Sequence, residues 1–343
     1  MAKENGVKTP EVFRTKLMPR QIPTVAYTVQ NILISIASII SSIASFLFTL
    51  WIILPLSMIR AVIPANMLQS INSEGKNKVV LIVGASRGIG FSVLKQYADD
   101  PDTVIIAASR SIESLRKAVI ELGDTLAIIQ CAELDLTAQK KQIAENVRAI
   151  DKSYGPITHL YEVSGISNHL KEGTPWGLNV TDEMINVNIS GTVASILTTY
   201  ELMKERGYGK ICIVGSVAGL YGPANMISYA STKAFINTFS ASLRILAAPC
   251  GVEVVTVQPG FIDTRMTKKM RGQDSTVPNK EFASPHGMAA YMKQAVEQGG
   301  VGVVSWPVRQ SVMMHALQSV NPICEELGQW ISMKMMLSGK KIT

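Results

Sequence analysis

A serine, a tyrosine and a lysine lie within one short stretch of the chain, and together they could exchange a proton with a substrate. Tyr229 and Lys233 are four residues apart in a segment predicted to be helical over residues 229–248, so they would share one helix face. A nearby ammonium favours the phenolate and would lower the pKa of the tyrosine from its usual value of roughly 10. Ser216 follows a predicted strand at residues 211–214 and could hydrogen-bond the same substrate oxygen. The spacing indicates acid–base chemistry at a carbonyl or alcohol oxygen, although the motif also occurs by chance in many helices.

A glycine-rich turn follows the first predicted strand of the globular region, which covers residues 78–83. The turn reads Gly-Ala-Ser-Arg-Gly-Ile-Gly over residues 84–90 and leads into a helical segment that ends near Asp99. Glycines let the backbone approach a pyrophosphate, and the N–H groups at the start of a helix can bind it. Because a strand precedes the turn and a helix follows it, the turn is a dinucleotide-binding candidate and not only a tight turn. The candidate residues are Gly84, Ser86, Arg87, Gly88, Ile89 and Gly90.

The next predicted strand, residues 103–108, indicates which dinucleotide is bound. A free ribose 2′-hydroxyl favours an acidic residue near the end of this strand, whereas a 2′-phosphate needs a cation. Arg87 and Arg110 therefore favour NADP over NAD, the alternative being that both are solvated surface arginines. Asp135 follows a predicted strand at residues 128–134, where its side chain could contact the adenine.

Helical segments alternate with these strands, for example at residues 111–122 and 138–151. Alternating strands and helices predict an α/β fold of the Rossmann type, a doubly wound parallel sheet with helices on both faces. The last strand is predicted at residues 299–305. The expected layout is a basic tail (1–21), a hydrophobic membrane anchor (22–64), a linker (65–77), a catalytic domain (78–305) and an amphipathic C-terminal extension (306–343).

These motifs occur in the order found in the short-chain dehydrogenase/reductase family, which the chain resembles between residues 78 and 270. Asn188 lies where that family has its catalytic asparagine, and Pro-Gly-Phe-Ile-Asp-Thr at residues 259–264 matches the segment that holds the nicotinamide. The resemblance implies that tyrosine is the general acid or base, that lysine binds the ribose, and that asparagine positions a proton-relay water. The residues implied to be catalytic are Asn188, Ser216, Tyr229 and Lys233. The further residues implied to bind NADP(H) are Tyr229, Lys233, Pro259, Gly260, Ile262 and Thr264.

Two positions depart from the family pattern. Glu162-Val-Ser-Gly165 stands where the family often has Asn-Asn-Ala-Gly, and Val83 replaces a common threonine. We expect both changes to affect structural support more than chemistry. Glu162 could be functional or could be a solvated carboxylate, and His159 is expected to be structural.

The segment from residue 21 to residue 59 contains no charged residue. A bilayer is crossed by about 20 residues of helix, so the segment is long for one span and barely enough for two. It predicts a membrane anchor, either a single transmembrane helix or a hairpin that returns near Pro55. Basic residues flank both ends and do not choose an orientation. A stripe of small and polar residues could pack against the same helix of another protomer or against a short segment that returns after Pro55. Alternatively, its side chains could bond their own helix carbonyls. The stripe consists of Thr28, Asn31, Ser35, Ser38, Ser42, Ser45 and Thr49.

Charge and cysteine content exclude some partners. The net charge is +7, but Lys and Arg are scattered and form no basic stripe with interleaved aromatic residues, so no nucleic acid is expected. Anionic lipid head groups or a phosphorylated cofactor are the expected partners. The four cysteines have no metal-ligand spacing, which predicts no metal and a reducing compartment.

The C-terminal part of the chain carries further signals. Met266 and Met270, in the segment after Thr264, would suit an apolar ligand. Residues 306–337 mix apolar and charged residues and predict an amphipathic lid or interfacial helix, or else a helix that packs on the domain or a dimer mate. Lys-Lys-Ile-Thr at residues 340–343 resembles the dilysine retrieval signal of endoplasmic-reticulum membrane proteins. It predicts that membrane as the location, with the catalytic domain in the cytosol; a lipid droplet is the alternative.

The sequence therefore predicts a membrane-anchored, NADPH-dependent reductase of a lipophilic ketone. Long-chain keto-lipids such as 3-ketosphinganine or a 3-oxoacyl thioester are the leading substrates, because an anchor and an apolar segment suit them. A steroid or retinoid dehydrogenase of the same mechanism is one alternative. A non-catalytic, NADP-sensing scaffold of a membrane or lipid droplet is another.

Overall fold

The structure is a computed structural model that describes residues 24–63, 78–167, 177–272, 276–318 and 334–335. The predicted basic tail, the linker, most of the C-terminal extension and the dilysine-like end lie outside the described residues. The chain divides into two compact units, Met1–Ile52 and Ile53–Thr343, and each is described by itself.

The N-terminal described residues are helical. Helix α1 (Thr24–Phe48) is followed by a π-helical turn (Thr49–Ile53) and by helix α2 (Leu54–Val62). The stretch Val25–Arg60 contains an 18-residue window with a mean hydropathy of 2.2 that is unburied, so by length and composition the stretch is a candidate membrane span. A signal sequence shares these properties. Pro55, where the sequence allowed a return of the chain, lies inside α2.

A seven-stranded parallel sheet forms the centre of the second unit. The strands are β1 (Lys78–Val83), β2 (Thr103–Ser109), β3 (Ile128–Glu133), β4 (His159–Glu162), β5 (Gly209–Val214), β6 (Val252–Pro259) and β7 (Val303–Trp306). Their order in the sheet is β3-β2-β1-β4-β5-β6-β7. The central strands are rich in Val and Ile and are buried on both faces, as parallel strands between helical layers require.

Helices cover both faces of this sheet, so the predicted Rossmann-type fold is confirmed. The helices are α3 (Gly88–Tyr97), α4 (Ile112–Ile120), α5 (Lys140–Tyr154), α6 (Leu178–Met184), α7 (Thr192–Arg206), α8 (Ile227–Ala247), α9 (Arg265–Arg271), α10 (Pro285–Gln298) and α11 (Val308–Gln318). One apolar core lies between the sheet and helices α5, α7 and α8, and the other lies between the sheet and helices α3, α4 and α10.

The last strand differs from the prediction of residues 299–305. Gly299 and Gly300 have positive φ values of 68° and 63°, which turn the chain and cannot continue a strand. The strand therefore begins later, at Val303, and includes Trp306, which the sequence assigned to the C-terminal extension.

A group of buried polar side chains surrounds Glu297 at the amino ends of the strands. The Tyr97 hydroxyl donates to Glu297 Oε1 at 2.7 Å and lies 2.7 Å from the Tyr161 hydroxyl, and Lys78 Nζ is 3.1 Å from the same carboxylate. Burial lowers the pKa of His159 from its ordinary value to about 3, so this imidazole is neutral near pH 7. The prediction that His159 is structural agrees with its place in this group, on the edge opposite the glycine-rich turn.

Candidate active site

A cavity of about 370 Å³ opens at the carboxyl ends of the central strands, beside the point where the strand order reverses between β1 and β4. Ligands of doubly wound sheets bind in this crevice. Every residue predicted to bind the cofactor lines the cavity: Gly84, Ser86, Arg87, Gly88, Ile89, Gly90, Arg110, Asp135, Tyr229, Lys233, Pro259, Gly260, Ile262 and Thr264. The parallel sheet thus brings together residues that are far apart in the sequence.

The glycine-rich turn has the backbone that a dinucleotide site needs. Gly84 has a φ of 94°, which is left-handed, and its N–H and that of Ala85 both donate to the Ala108 carbonyl, at 2.8 and 3.1 Å. A side chain at Gly90 would collide with the Gly84 carbonyl oxygen, so helix α3 can begin close against the turn only because residue 90 is glycine. The turn therefore fits a pyrophosphate at the amino end of α3.

Three arginines line this cavity: Arg87, Arg110 and Arg265. Burial, and then the charges of Arg265 and Arg110, lower the pKa of Arg87. Among the described residues none of the three forms an ion pair, so their positive charge is available to an anionic ligand. Sequence reasoning missed Arg265; the signal was a basic residue directly after the Pro-Gly-Phe-Ile-Asp-Thr segment.

Two other predicted cofactor residues contribute polar groups to the same region. The Ser109 hydroxyl donates to the Ser86 hydroxyl at 3.2 Å, and both residues line the cavity. Asp135 also lines it, and its Oδ1 accepts from the Thr137 N–H at 2.9 Å, which fixes the turn after β3. A contact between Asp135 and the adenine stays a prediction.

Ser216 is fixed from two sides. Its hydroxyl donates to the Pro259 carbonyl at 3.3 Å and accepts from the Ala218 N–H at 3.1 Å. Asn237, from the same helix as Tyr229, donates to the Ser216 carbonyl at 2.9 Å and accepts from the Ser216 N–H at 3.4 Å. Asn237 thus ties the serine to the tyrosine's helix, a role that the sequence did not suggest.

Tyr229 and Lys233 both lie on the cavity wall, as their spacing in helix α8 predicts. The prediction that Lys233 lowers the pKa of Tyr229 is wrong for this structure. Burial raises the pKa of the Tyr229 phenol, and the hydrogen bond with Ser216 is the influence that opposes this shift. The Lys233 ammonium instead donates to the Val214 carbonyl at 2.9 Å. Burial lowers the pKa of Lys233 to about 8, while the charge of Glu162 raises it.

Asn188 lies behind the cavity wall, in a π-helical segment (Ile185–Gly191). Its side-chain oxygen accepts from the Ile166 N–H at 2.9 Å, and its amide donates to the Ile166 carbonyl at 2.9 Å and to Thr232 Oγ1 at 3.1 Å. A Cβ on Gly165 would be 3.4 Å from Lys233 Nζ and 3.5 Å from Asn188 Oδ1, so Gly165 lies between these two side chains. The bonds fix the loop after β4, and the predicted positioning of a relay water stays a prediction.

Glu162 is not the solvated carboxylate that the sequence allowed. It is 1% exposed at the end of β4, in the centre of the sheet, where it pairs with Val83 and Ile213. Neither carboxylate oxygen has a hydrogen-bond partner among the described residues. Burial raises the pKa of Glu162 to about 8, against the opposing influence of Ser195 and Lys233. The side chain therefore holds a proton at neutral pH.

Many of the side chains that line the cavity are apolar, and we refer to this set as its apolar end. Met266 and Met270, predicted to suit an apolar ligand, both belong to it. Further members are Val217, Tyr221, Pro223, Met226, Phe261, Met313 and Met314. The last two come from helix α11, which lies beyond the last strand. Flexible methionines can adapt to an elongated or irregular apolar ligand.

The fold and the site together define a Rossmann-type oxidoreductase. The sequence model of the family described as short chain dehydrogenase matches residues 78–275, more than half of the chain. The chain belongs to the short-chain dehydrogenase family.

Characterised relatives include two reductases. The chain is 27% identical over 253 residues to an acetoacetyl-CoA reductase of Allochromatium vinosum, a match that covers 69% of this chain and 99% of the relative. It is 32% identical over 226 residues to the 3-oxoacyl-(acyl-carrier-protein) reductase FabG of Thermotoga maritima, covering 62% of this chain and 88% of the relative.

Solved structures share the fold. ElxO with NADP bound is 25% identical, with a TM-score of 0.59 over 67% of this chain and 97% of that one. A short-chain dehydrogenase of Sphingobium yanoikuyae in complex with NADPH is 20% identical, with a TM-score of 0.60 over 70% of this chain and 93% of that one.

Proposed function

We propose that the protein is an NADPH-dependent reductase that converts the ketone of a lipophilic substrate to an alcohol. The observation that carries the proposal is that Ser216, Tyr229 and Lys233 line one cavity together with the glycine-rich turn, three arginines and a set of apolar side chains. A scaffold that only senses NADP would not need a tyrosine, a serine and a lysine gathered at this place.

The cofactor is NADP(H), which the basic end of the cavity fits. The glycine-rich turn leaves the amino end of α3 open to a pyrophosphate, and Arg87, Arg110 and Arg265 suit a 2′-phosphate. When bound, NADPH supplies the hydride that reduces the carbonyl carbon. NADP or NADPH is bound in the two structural relatives described above.

The protein's own residues supply the proton and hold the substrate oxygen. Burial raises the pKa of Tyr229, so its phenol is protonated at neutral pH and can donate a proton to the carbonyl oxygen. The Ser216 hydroxyl has one hydrogen, which points to the Pro259 carbonyl, so it must rotate to donate a hydrogen bond to the substrate oxygen as negative charge develops there. Asn237 holds the Ser216 backbone in place while the hydroxyl turns. Lys233 keeps a positive charge beside this group below about pH 8.

The substrate proposed first is a long-chain 3-oxoacyl thioester. The apolar end with its methionines supports an elongated apolar chain. Two relatives are named as reductases of 3-oxoacyl thioesters, which supports the thioester ketone and not the length of the chain. A 3-ketosphingoid base such as 3-ketosphinganine has the same ketone beside a long chain and is the second candidate. A steroid or retinoid is the third.

The location is proposed from the N-terminal helix and the C-terminal residues. A helix of this length and hydropathy would anchor the protein in the endoplasmic-reticulum membrane, with the catalytic domain in the cytosol, or at a lipid droplet. Membrane lipid is then a partner, and a homo-oligomer through the small-residue stripe stays a prediction. Alkaline carbonate extraction tests the anchor, because an anchored chain stays in the pellet and a peripheral one is released.

The test of the proposed function uses membranes that contain the full chain. Oxidation of NADPH and of NADH is followed with 3-oxoacyl thioesters, 3-ketosphinganine, steroid ketones and retinal. We expect turnover of one long-chain class, with NADPH strongly preferred. Tight NADPH binding without turnover of any class would contradict the proposal and favour the sensing scaffold.

A further inference from the structure

Helix α11 carries one buried glutamine that contacts the predicted nicotinamide segment. Gln310 is 7% exposed and lies outside residues 78–275, the part of the chain that matches the family. We infer that Gln310 is a positioning residue that holds residues 259–264 in place against the cavity. This inference rests on the proposed function, because it concerns the same site.

Both the oxygen and the nitrogen of the Gln310 side-chain amide form hydrogen bonds. Its Oε1 accepts from the Phe261 N–H at 2.7 Å, and its Nε2 donates to the Glu281 carbonyl at 2.6 Å. A side chain at Gly260 would collide with Gln310 Oε1, so the backbone and the amide are in close contact. One side chain therefore links α11 to two loop segments at once.

The two segments that Gln310 joins also pair with each other. The Ala283 N–H donates to the Phe261 carbonyl at 2.9 Å, and the Asp263 N–H donates to the Ala283 carbonyl at 2.8 Å. The rings of Phe261 and Phe282 are 5.4 Å apart. Residues 259–264 and 279–283 thus form one paired unit, and Gln310 fastens that unit to the helix.

The chemistry of the position favours glutamine. A donor and an acceptor are both needed at the end of one side chain, and only an amide provides them in a fixed plane. Glutamate at this position would still accept from the Phe261 N–H but would place a carboxylate against the Glu281 carbonyl. Methionine would match the size of the side chain and make neither bond. The exposed ion pair of Arg309 with Glu281 contributes little by comparison.

The position of α11 also determines part of the cavity wall. Met313 and Met314 are three and four residues after Gln310, so all three share one face of the helix, and all three line the cavity. Gln310 therefore connects the placement of the nicotinamide segment with the placement of the methionines at the apolar end. A loosened α11 should disturb both.

The experiment compares the full chain with Gln310→Met and Gln310→Glu, and uses Gln318→Met as the matched control. Gln318 is the exposed last residue of the same helix. Amide hydrogen exchange, read by mass spectrometry without substrate or cofactor, reports on peptides that cover residues 259–264 and 279–283. Titration of protein fluorescence with NADPH reports the affinity.

With Gln310→Met, we expect at least 10-fold faster exchange in both peptides and a roughly 10-fold higher Kd for NADPH, since two hydrogen bonds are lost. With Gln310→Glu, residues 279–283 should exchange faster, whereas the Phe261 peptide should change less because its bond remains. The control should match the wild type. Wild-type exchange and NADPH affinity in Gln310→Met would overturn the inference.

A general loss of stability is separated from local positioning by the glutamate variant. If Gln310→Met lowers the protection against hydrogen exchange in every peptide, the result for Gln310→Glu decides. In that variant, an equal loss of protection in every peptide, or no change in any peptide, also overturns the inference. Neither readout needs turnover. Failure of every ketone to react would therefore contradict the proposed function and leave the role of Gln310 standing.

Discussion

Replacing Glu162 by glutamine should flatten the dependence of stability on pH. Burial raises the pKa of this carboxyl from 4.5 to about 8 in the folded protein. Between those values the folded protein keeps a proton that the unfolded chain has released, so the free energy of unfolding falls as pH rises. The stability that Glu162 contributes by holding this proton is fully lost only above pH 8, and the Glu162→Gln variant does not have this contribution at any pH.

The magnitude follows from one proton. Each pH unit in this window removes ~1.4 kcal/mol, so the wild type should lose roughly 3 kcal/mol relative to the variant between pH 5.5 and 7.5. In the wild type the pKa of Lys233 is lowered to about 8, so its own influence on the pH dependence lies above pH 8. Glu162→Gln removes the charge that raises this pKa, and a further lowered pKa of Lys233 makes the stability of the variant rise with pH, which adds to the expected difference with the same sign. The pKa of His159 is lowered to about 3, and that contribution is the same in both proteins.

The assay is the melting temperature of the full chain in nonionic detergent at pH 5.5, 6.5 and 7.5. The expected loss corresponds to roughly 6 °C more decline in the wild type than in Glu162→Gln, for a domain of this size. Glu133→Gln, at an exposed carboxyl at the end of β3, is the matched control and should follow the wild type. Parallel curves for wild type and Glu162→Gln would show that the folded protein does not retain a proton on Glu162 above pH 5.5.

Three further substitutions test other parts of the account. Arg110→Ala should raise the KM for NADPH by roughly 10- to 100-fold and leave the KM for NADH nearly unchanged, as measured by steady-state kinetics. Equal effects on the two KM values would contradict a contact between Arg110 and the 2′-phosphate. Ser216→Ala should lower kcat by roughly 100-fold at unchanged NADPH affinity, and a matching loss of affinity in a fluorescence titration would argue against its role at the substrate oxygen. Glu297→Gln should destabilise the protein by roughly 2 kcal/mol at pH 7, because Tyr97 and Lys78 lose a charged partner. Burial acts to raise the pKa of Glu297, but the groups around its carboxylate, among them Tyr97 and Lys78, lower it overall, so the difference in melting temperature should disappear as the pH falls through that pKa.

The fold could be predicted because its signals are local in the sequence. The glycine-rich turn between a strand and a helix, and the alternation that follows it, identify a doubly wound sheet without knowledge of any distant contact. The cofactor residues could be predicted for a related reason. They stand at the carboxyl ends of strands, and a parallel sheet brings those ends to one edge.

The remaining features depend on packing that the sequence does not display. Whether Glu162 is solvated or buried depends on α7 and α8, which cover that face of the sheet. The pKa of Tyr229 is decided by burial, which outweighs the expected effect of Lys233. Gln310 belongs to no motif, and only the folded chain brings it to the Phe261 backbone. The sequence predicts that Gly299 and Gly300 belong to the last strand, and only their positive φ values in the folded chain show that they do not.

The most direct test of the central claim is the rate of NADPH oxidation in a single turnover, with the ketone that the wild type reduces, in Tyr229→Phe. We expect a loss of roughly 10²- to 10⁴-fold in this rate with NADPH affinity unchanged, because only the proton donor is removed. If the variant oxidised NADPH with the ketone at the wild-type rate, Tyr229 would not be the proton donor.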